Sequence, residues 1–590
     1  MAANLPRTLC DAPLYSGPVP QGPAQDGDHV ATTESDPSWW SGWLLTKRER
    51  ANEQTVLDDI HPGDQAWSVG NHVRPLVHGV TYFAELVERI EEARDGDLIL
   101  FTDWRGDPDE QLTDDPSSTM VRLLGDADRR GVDVRGLIWR SHWDKLSFSG
   151  SENRQTGEQL QETGAEALLD MRVRTGGSHH QKLVVIRYQN HPEHDIAFVG
   201  GIDLCHSRRD DARHHGDPQP QSMAAAYGDR PAWHDIQAAI SGPAVYDVET
   251  VFRERWNDPT PLSRSPLRRL RDRLAGNDLS PDPLPRQNPP PAPVPGGSHV
   301  VQLLRTYPNL RHGRDYPYAR GGERSVARGY AKALGRAERL IYVEDQYLWS
   351  TEIAATFADA LRAKPELRLI AVLPHLPDQS GLLSRVPQEL GRHDAVRTLQ
   401  EAGGERVAVY GIENHAGFPV YVHAKVCVID DWWATIGSDN FNRRSWTHDS
   451  ELSAVVLDTS DRDHSAYARR LRLALAAEHL DRRLGPDAYP GDISALEPGR
   501  TPETLDDQAL LDVTADCHDG HAMFDAFAAS AAALQAWHDG GRRGERPPGR
   551  LRPLRRLRLS PLTRAWAAPL FRAVHDPDGR PRALRQRGAY

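Results

Sequence analysis

"GGSHHQKLVVIR", residues 176–187, places His180 and Lys182 two positions apart and runs at once into the apolar stretch Leu183–Ile186. Some 240 residues later "VHAKVCVIDD", residues 422–431, does the same with His423, Lys425 and the run Val426–Ile429. The copies part at the end of the run, where Asp430 closes the second and Arg187 the first. Short continuous apolar runs of this kind read as buried strands. Side chains alternate along a strand, so each His and its Lys share a face. After each run comes a small-residue turn carrying polar groups, "FVGGIDLC" with Gly200, Gly201 and Asp203, and "TIGSDNFN" with Gly437, Ser438 and Asn440. The interval from His to the first Gly is 20 residues in the first copy and 14 in the second, and "YQNHPEHD" accounts for the difference as a polar hairpin tip.

The surroundings of the two copies repeat as well. In "GNHVRPLVHGVTYFAELVERIEEARDGDLILFTDW", Phe83, Leu86, Val87 and Ile90 mark one face of a helix, and "DLILFTDW" a buried strand. A helix over "STMVRLLGDADRRG" and a strand in "GVDVRGLIWRSHW" follow. The Pro-rich stretch 280–298 can continue neither element, because proline lacks the N–H and glycine loosens the chain. Beyond it the order restarts with a helix in "ERSVARGYAKALGRAE", a strand in "RLIYVEDQYLW", a helix in "STEIAATFADALRAK" and a strand in "LRLIAVLPH". Strand–helix alternation predicts an α/β fold of two similar halves facing each other, each a mixed sheet flanked by helices, with the active site between them. The expected divisions are an arm over 1–60, a first half over 61–279, the linker 280–298, a second half over 299–500 and a helical, basic tail over 501–590. The arm reads as poorly structured, around an aromatic knot "SWWSGWLL".

Of the 590 residues, 38% are hydrophobic and 26% charged, ordinary for a globular chain. The net charge of −13 is uneven: residues 541–590 hold fourteen arginines against Glu545, Asp576 and Asp578, a net of +11 that leaves the rest at −24 (−13 minus 11). A body so acidic repels a nucleic-acid backbone, which counts against a nuclease and against a nucleic-acid partner. Neither a secretory leader nor an apolar stretch of roughly 18–20 residues is found, so the expected location is cytoplasmic, peripheral at a membrane at most. The four cysteines, Cys10, Cys205, Cys427 and Cys517, follow no metal-ligand spacing, and Cys205 and Cys427 read as buried thiols. The chain is expected to be a monomer with no metal site.

Two imidazoles, two ammonium groups and hydroxyl or amide donors suffice for phosphodiester transfer without a metal. One His attacks phosphorus while the other protonates the leaving alkoxide and later deprotonates the incoming alcohol or water. Lys182, Lys425 and Asn440 neutralise phosphoryl oxygens as charge grows, with Gly201, Asp203 and Ser438 beside them. Neither copy alone has both a nucleophile and an acid.

These residues resemble the phospholipase D superfamily, whose signature is His-x-Lys followed four residues on by Asp, twice per chain. His423, Lys425, Asp430, Ser438 and Asn440 match it in full. "LVHGVTYFAEL", "LIWRSH", "AFVGGIDLC", "WHDIQAAISGPAVYDVETVFRERW" and "IYVEDQY" look like segments of plant and animal phospholipases D, over roughly residues 68–460. The resemblance implies hydrolysis and transphosphatidylation of glycerophospholipids at the distal phosphodiester through a phosphohistidine, with no cofactor required and no sign of calcium stimulation. It implies orienting carboxylates at Asp235 and Glu451, and His180 as nucleophile with His423 as acid and base, an assignment the residues alone leave open. It implies that the acid missing at Arg187 is structural, with Asp195 standing in. Asp203 either carries a proton or orients a lysine. A phospholipid surface is the expected partner, reached through the cationic segment 550–574 with Trp566 and Phe571, unless that tail packs on the acidic body. The rival readings are a cardiolipin-synthase-like phosphatidyltransferase, another phosphodiesterase of the superfamily, and a lipid binder without turnover.

Overall fold

Each His-x-Lys segment leads into the central strand of a half-sheet, and the two half-sheets have the same strand order. A computed structural model describes residues 39–142, 150–310 except 264, 275 and 277, 315–460, 464–484, 507–554 and 559–590. The first half contains β1 (Ser68–Val77), β2 (Leu98–Asp103), β3 (Asp133–Trp139), β4 (Glu166–Asp170), β5 (Leu183–Arg187), β6 (Ile196–Gly200), β7 (Ala232–His234) and β8 (Ile236–Ser241). The second contains β9 (His299–Tyr307), β10 (Glu323–Arg324), β11 (Leu340–Glu344), β12 (Arg368–Val372), β13 (Val407–Ile412), β14 (Val420–Val422), β15 (Val426–Ile429), β16 (Trp433–Gly437) and β17 (Glu451–Asp458). Near the C-terminus β18 (Leu551–Pro553) adds to the edge at β13.

The order β1-β8-β6-β5-β2-β3-β4 in the first half is repeated as β9-β17-β16-β15-β11-β12-β13 in the second. Strands β2, β3 and β4 run parallel, as do β11, β12 and β13, and parallel neighbours need crossovers. The crossovers are the helices Met120–Arg129, Gly150–Thr163, Thr351–Ala363 and Leu382–Gly403. The helix Gly79–Glu92 buries Phe83, Leu86, Val87 and Ile90, the stripe read from the sequence. Residues 188–195 form the turn between β5 and β6, with a short 3-10 turn at Pro192–His194.

One expectation is extended and two need correction. The halves do not merely face each other: β1 pairs antiparallel with β9, Ser68 opposite Val301, so the two sheets continue as one. Within the arm, residues 42–60 are fixed, because buried Arg50 bonds Glu323, Asp58 and the Leu303 carbonyl, and Thr55 bonds Glu254; residues 1–38 lie outside the described set, as does Cys10. The basic tail is built into the second half. Besides β18, Asp576 accepts from Arg443, Gly579 N donates to Thr447, and Arg580 pairs with Glu352. Packing of the tail on the body is thus the alternative the structure favours for the described part of 550–574, while residues 485–506 and 555–558 lie outside it. The linker 280–298 carries no helix or strand, yet its carbonyls at Asp282, Pro285 and Pro289 accept from Trp256, Arg253 and Arg187. Cys205, Cys427 and Cys517 are buried free thiols. No helix among the described residues is long and apolar enough to cross a membrane.

Candidate active site

The approach to each central strand is pinned by the opposite half. His180 N donates to the Ser450 carbonyl at 2.9 Å, and Ser450 N returns a bond to Ser178 O at 3.0 Å. In the other copy β14 pairs parallel with β7, and His423 N and Ala424 N both donate to His234 O, at 2.8 and 3.1 Å. Ser450 precedes Glu451, and His234 precedes Asp235. The backbone therefore delivers each imidazole to the acid of the other half.

The side chains complete that crossing. His180 Nδ1 lies 2.8 Å from Glu451 Oε2, and His423 Nδ1 lies 2.7 Å from Asp235 Oδ2. Sequence order suggests that each acid serves the motif it follows; the structure shows the reverse. A carboxylate on Nδ1 fixes the tautomer and leaves Nε2 for chemistry. Ser438 Oγ donates to Glu451 Oε2 at 2.6 Å, and Trp233 Nε1 to Asp235 Oδ2 at 3.3 Å. Gly201 stands where Ser438 stands in the other copy, and its role is steric: a Cβ there would come 2.2 Å from Asp235 Oδ1. Behind Glu451, Arg255 bonds both Ser450 Oγ and Asp170, a buried ionic brace.

The lysines follow the same plan with different neighbours. Lys182 Nζ donates to His180 O at 3.1 Å and pairs with Asp203 Oδ1 at 3.3 Å. Lys425 Nζ bonds His423 O and lies 3.0 Å from His423 Nδ1. Asn440 occupies the position equivalent to Asp203, buried, with its Oδ1 lacking a hydrogen-bond partner among the described residues. Burial, and then the charge of Lys182 against the attraction of nearby carboxylates, lowers Lys425 to about 8. The two copies meet through the pairing of β7 with β14 and the His180–Ser450 backbone bond. Burial and the Lys425 charge lower His423 to about 3, so its ring is neutral in the free molecule, and the His423 interaction outweighs burial to hold Asp235 at about 2.

Of the two readings of Asp203, the geometry favours the one in which it orients Lys182, whose Nζ lies 3.3 Å away. Against the cost of burial, Lys182, Asp103 and Arg208 hold it well below the usual carboxylate range, so it is charged and orients Lys182. Burial and the charge of Asp203 push the neighbouring Asp103 up. Asp103 was not singled out in the sequence, nor was its counterpart Asp345. Each is the acid at the end of its repeat's strand, and each accepts a backbone N–H from the turn, Leu204 at 2.9 Å and Phe441 at 3.1 Å. Aligning "FTDW" with "VEDQY" is the signal that finds them. Arg208, stacked 4.1 Å over Trp233, is a second omission with no local motif to mark it.

Asp430 must be withdrawn from the site. It lies at the far end of β15 from His423, where it accepts the backbone N–H groups of Glu338, Arg339 and Leu340 at 2.6–2.8 Å. Arg187 at the same place is buried and pairs with Glu249 at 2.6 Å and Asp195 at 2.8 Å. The loop tie there comes from Asp97, which accepts from Arg94 N and Gln189 N, both at 2.8 Å. Asp195 shares this strand end, accepting the Tyr188 N–H at 2.7 Å and pairing with Arg187.

The chain is similar to known families and proteins. Residues 98–360 match the family described as Phospholipase D, and residues 330–471 the one described as Cardiolipin synthase, PLD-like domain. Phospholipase D alpha 4 of Arabidopsis thaliana is 24% identical over 515 residues, covering 70% of this chain and 65% of its own length. Phospholipase D beta 2 of the same plant is 26% identical over 513 residues, covering 65% and 55%. This chain thus spans less than two thirds of either relative. Among solved structures, the phosphatidylserine synthase of Haemophilus influenzae Rd KW20 aligns with a TM-score of 0.43 at 14% identity, covering 66% of this chain and 83% of the other.

Proposed function

Because this chain belongs to the phospholipase D superfamily, we propose that it is a phospholipase D acting on glycerophospholipids at the distal phosphodiester bond. The observation that carries the reading is the crossed pair of imidazole–carboxylate bonds at the join of the halves, with both lysines beside it. His180 Nε2 attacks phosphorus, forming a P–N bond as the bond to the head-group oxygen breaks, and His423 gives that oxygen its proton. His423 then takes a proton from water or an alcohol, whose oxygen attacks phosphorus and breaks the P–N bond. Two inversions give net retention. Phosphatidate or a transferred phosphatidyl ester is the product. Lys182 and Lys425 hold the phosphoryl oxygens as negative charge builds.

The low proton affinity of free His423 suits this sequence once substrate is considered. A phosphodiester anion set between the lysines offsets the Lys425 charge that depresses the ring, and the acid form becomes available when a leaving group is in place. Asp235 and Glu451 act as positioning residues. Docking at a phospholipid surface as a monomer belongs to the same proposal, as does the absence of a nucleic-acid partner, for which the −24 charge outside the tail argues.

The match of residues 330–471 favours one second reading, phosphatidyl transfer to a lipid alcohol. Purified protein incubated with phosphatidylcholine, ethanol and EDTA should yield phosphatidylethanol and choline. Phosphatidylglycerol as donor and acceptor, forming diphosphatidylglycerol faster than it is hydrolysed, would favour the second reading. Vesicle binding with no turnover of either lipid would refute both.

A further inference from the structure

Behind the His423–Asp235 pair lies a second cluster of histidines that the reaction does not use. His78 follows β1, His214 lies in the loop between β6 and β7, and His234 ends β7; Glu478 comes from the helix Ala466–His479 of the second half. All four are buried. His78 Nε2 lies 2.8 Å from Glu478 Oε2, while His214 Nε2 and His234 Nδ1 lie 3.0 and 3.1 Å from Glu478 Oε1. The ligand-capable atoms of the four fall within 4.8 Å of one another. Four ligands around zinc at about 2.0–2.1 Å stand roughly 3.3 Å apart, so little movement closes the set on an ion.

The outward-facing nitrogens make the stronger argument. His78 Nδ1 lies 2.9 Å from the Asp235 carbonyl oxygen, His234 Nε2 2.7 Å from Glu344 Oε2, and His214 Nδ1 3.6 Å from Asp210 Oδ2. Imidazoles that ligate a metal nearly always give their other N–H to a carboxylate or carbonyl. With protons alone, His234, set between Glu478 and Glu344, must be an imidazolium, while the His78 and His214 rings turn an N–H toward the same Glu478 carboxylate. The three ring centroids are 4.6–5.6 Å apart, away from water. One dication satisfies the same contacts with three neutral rings.

We propose that His78, His214, His234 and Glu478 form a closed, four-coordinate site for a structural divalent cation of the zinc class. Three nitrogens and one oxygen, without thiolate, suit such an ion, and a closed shell marks a structural rather than a catalytic centre. The ion would rivet the halves together from behind. Its ligand His234 offers the carbonyl that receives His423 N, and its ligand His78 touches the Asp235 carbonyl. The site does not depend on the substrate being a phospholipid. Being buried, it fills during folding and resists brief chelation, so the EDTA assay above is unaffected.

The test is to express the full chain in zinc-supplemented medium, dialyse it against a chelator and measure metal by mass spectrometry and X-ray absorption. The expected result is about one zinc per chain, with a nitrogen/oxygen shell at about 2.0–2.1 Å and outer scattering from three imidazoles. A folded wild-type chain retaining less than a tenth of an equivalent overturns the proposal, as does an oxygen-only or sulfur-containing shell. His214→Gln should lose the metal; a folded His214→Gln chain that keeps it overturns the assignment of ligands. If that variant does not fold, the wild-type absorption spectrum decides alone.

Discussion

In the first half Lys182 faces Asp203 at 3.3 Å; in the second, the equivalent position is Asn440, and Lys425 has no carboxylate at ion-pair distance among the described residues. The strands beneath follow the same order, and the turns donate the same backbone N–H bonds to Asp103 and Asp345. Duplication thus supplied a symmetric frame, and electrostatics then made its two forks unequal. One lysine is neutralised locally and keeps its orientation. The other feels Asp235, Asp345 and Asp203 only at longer range, and burial with the Lys182 charge lowers it. A second contrast lies at the far ends of the same strands, where Asp430 ties a loop by three N–H bonds and Arg187 bridges two acids.

The sharpest way to break this comparison is to make the first copy look like the second. Arg187→Asp restores the motif on paper but sets a new carboxylate beside buried Asp195 and Glu249. Removing one partner of a buried ion pair typically costs about 3–5 kcal/mol, so urea unfolding should show a loss of at least that size or no folded protein. A stable Arg187→Asp chain would mean that the two strand ends are interchangeable after all.

The crossed carboxylates come next. Glu451→Gln and Asp235→Asn should each lower kcat by about 10–100-fold with little change in KM, measured on short-chain phosphatidylcholine, and Glu451→Asp should recover part of the loss. An effect confined to KM would show that these acids bind substrate rather than hold the rings.

The inequality of the lysines predicts an alkaline limb. With Lys425 lowered to about 8, its charged form disappears as pH rises through that value, so kcat/KM should fall about tenfold per unit above pH 8. A profile flat to pH 10 would remove the distinction between the forks. The smallest effect belongs to Asp430→Asn, about 1 kcal/mol of stability by urea titration with kcat essentially unchanged. A large loss of turnover with normal stability would return Asp430 to the site.

Much of this was legible in the chain because repeats carry their own control. The stripe Phe83, Leu86, Val87, Ile90 and the paired apolar runs after His180 and His423 depend only on local periodicity, which a sequence displays directly. The acids Asp235 and Glu451 were legible as candidates, but their crossing was not. It depends on the long-range pairing of β14 with β7 and of His180 with Ser450. Asp97, which shares with Asp195 the ties at the Arg187 end of the strand, was hidden for the same reason: it is distant in sequence and adjacent only through the pairing of β2 with β5. The docking of residues 42–60 and of the tail was hidden behind polar composition, since Arg50, Arg443 and Arg580 are held by ion pairs that no hydrophobic pattern reveals.

The central claim is that His180 and His423 act on one phosphorus atom as a single site. The most direct measurement compares turnover of His180→Ala, His423→Ala and the double variant with wild type, each checked for folding. Members of one catalytic unit are not additive, so each single variant should lose about 10³-fold or more, roughly 4 kcal/mol, and the double variant should be no worse than the singles. Single variants that each keep near half of wild-type turnover, with activity vanishing only in the double, would mean two independent sites and contradict the account.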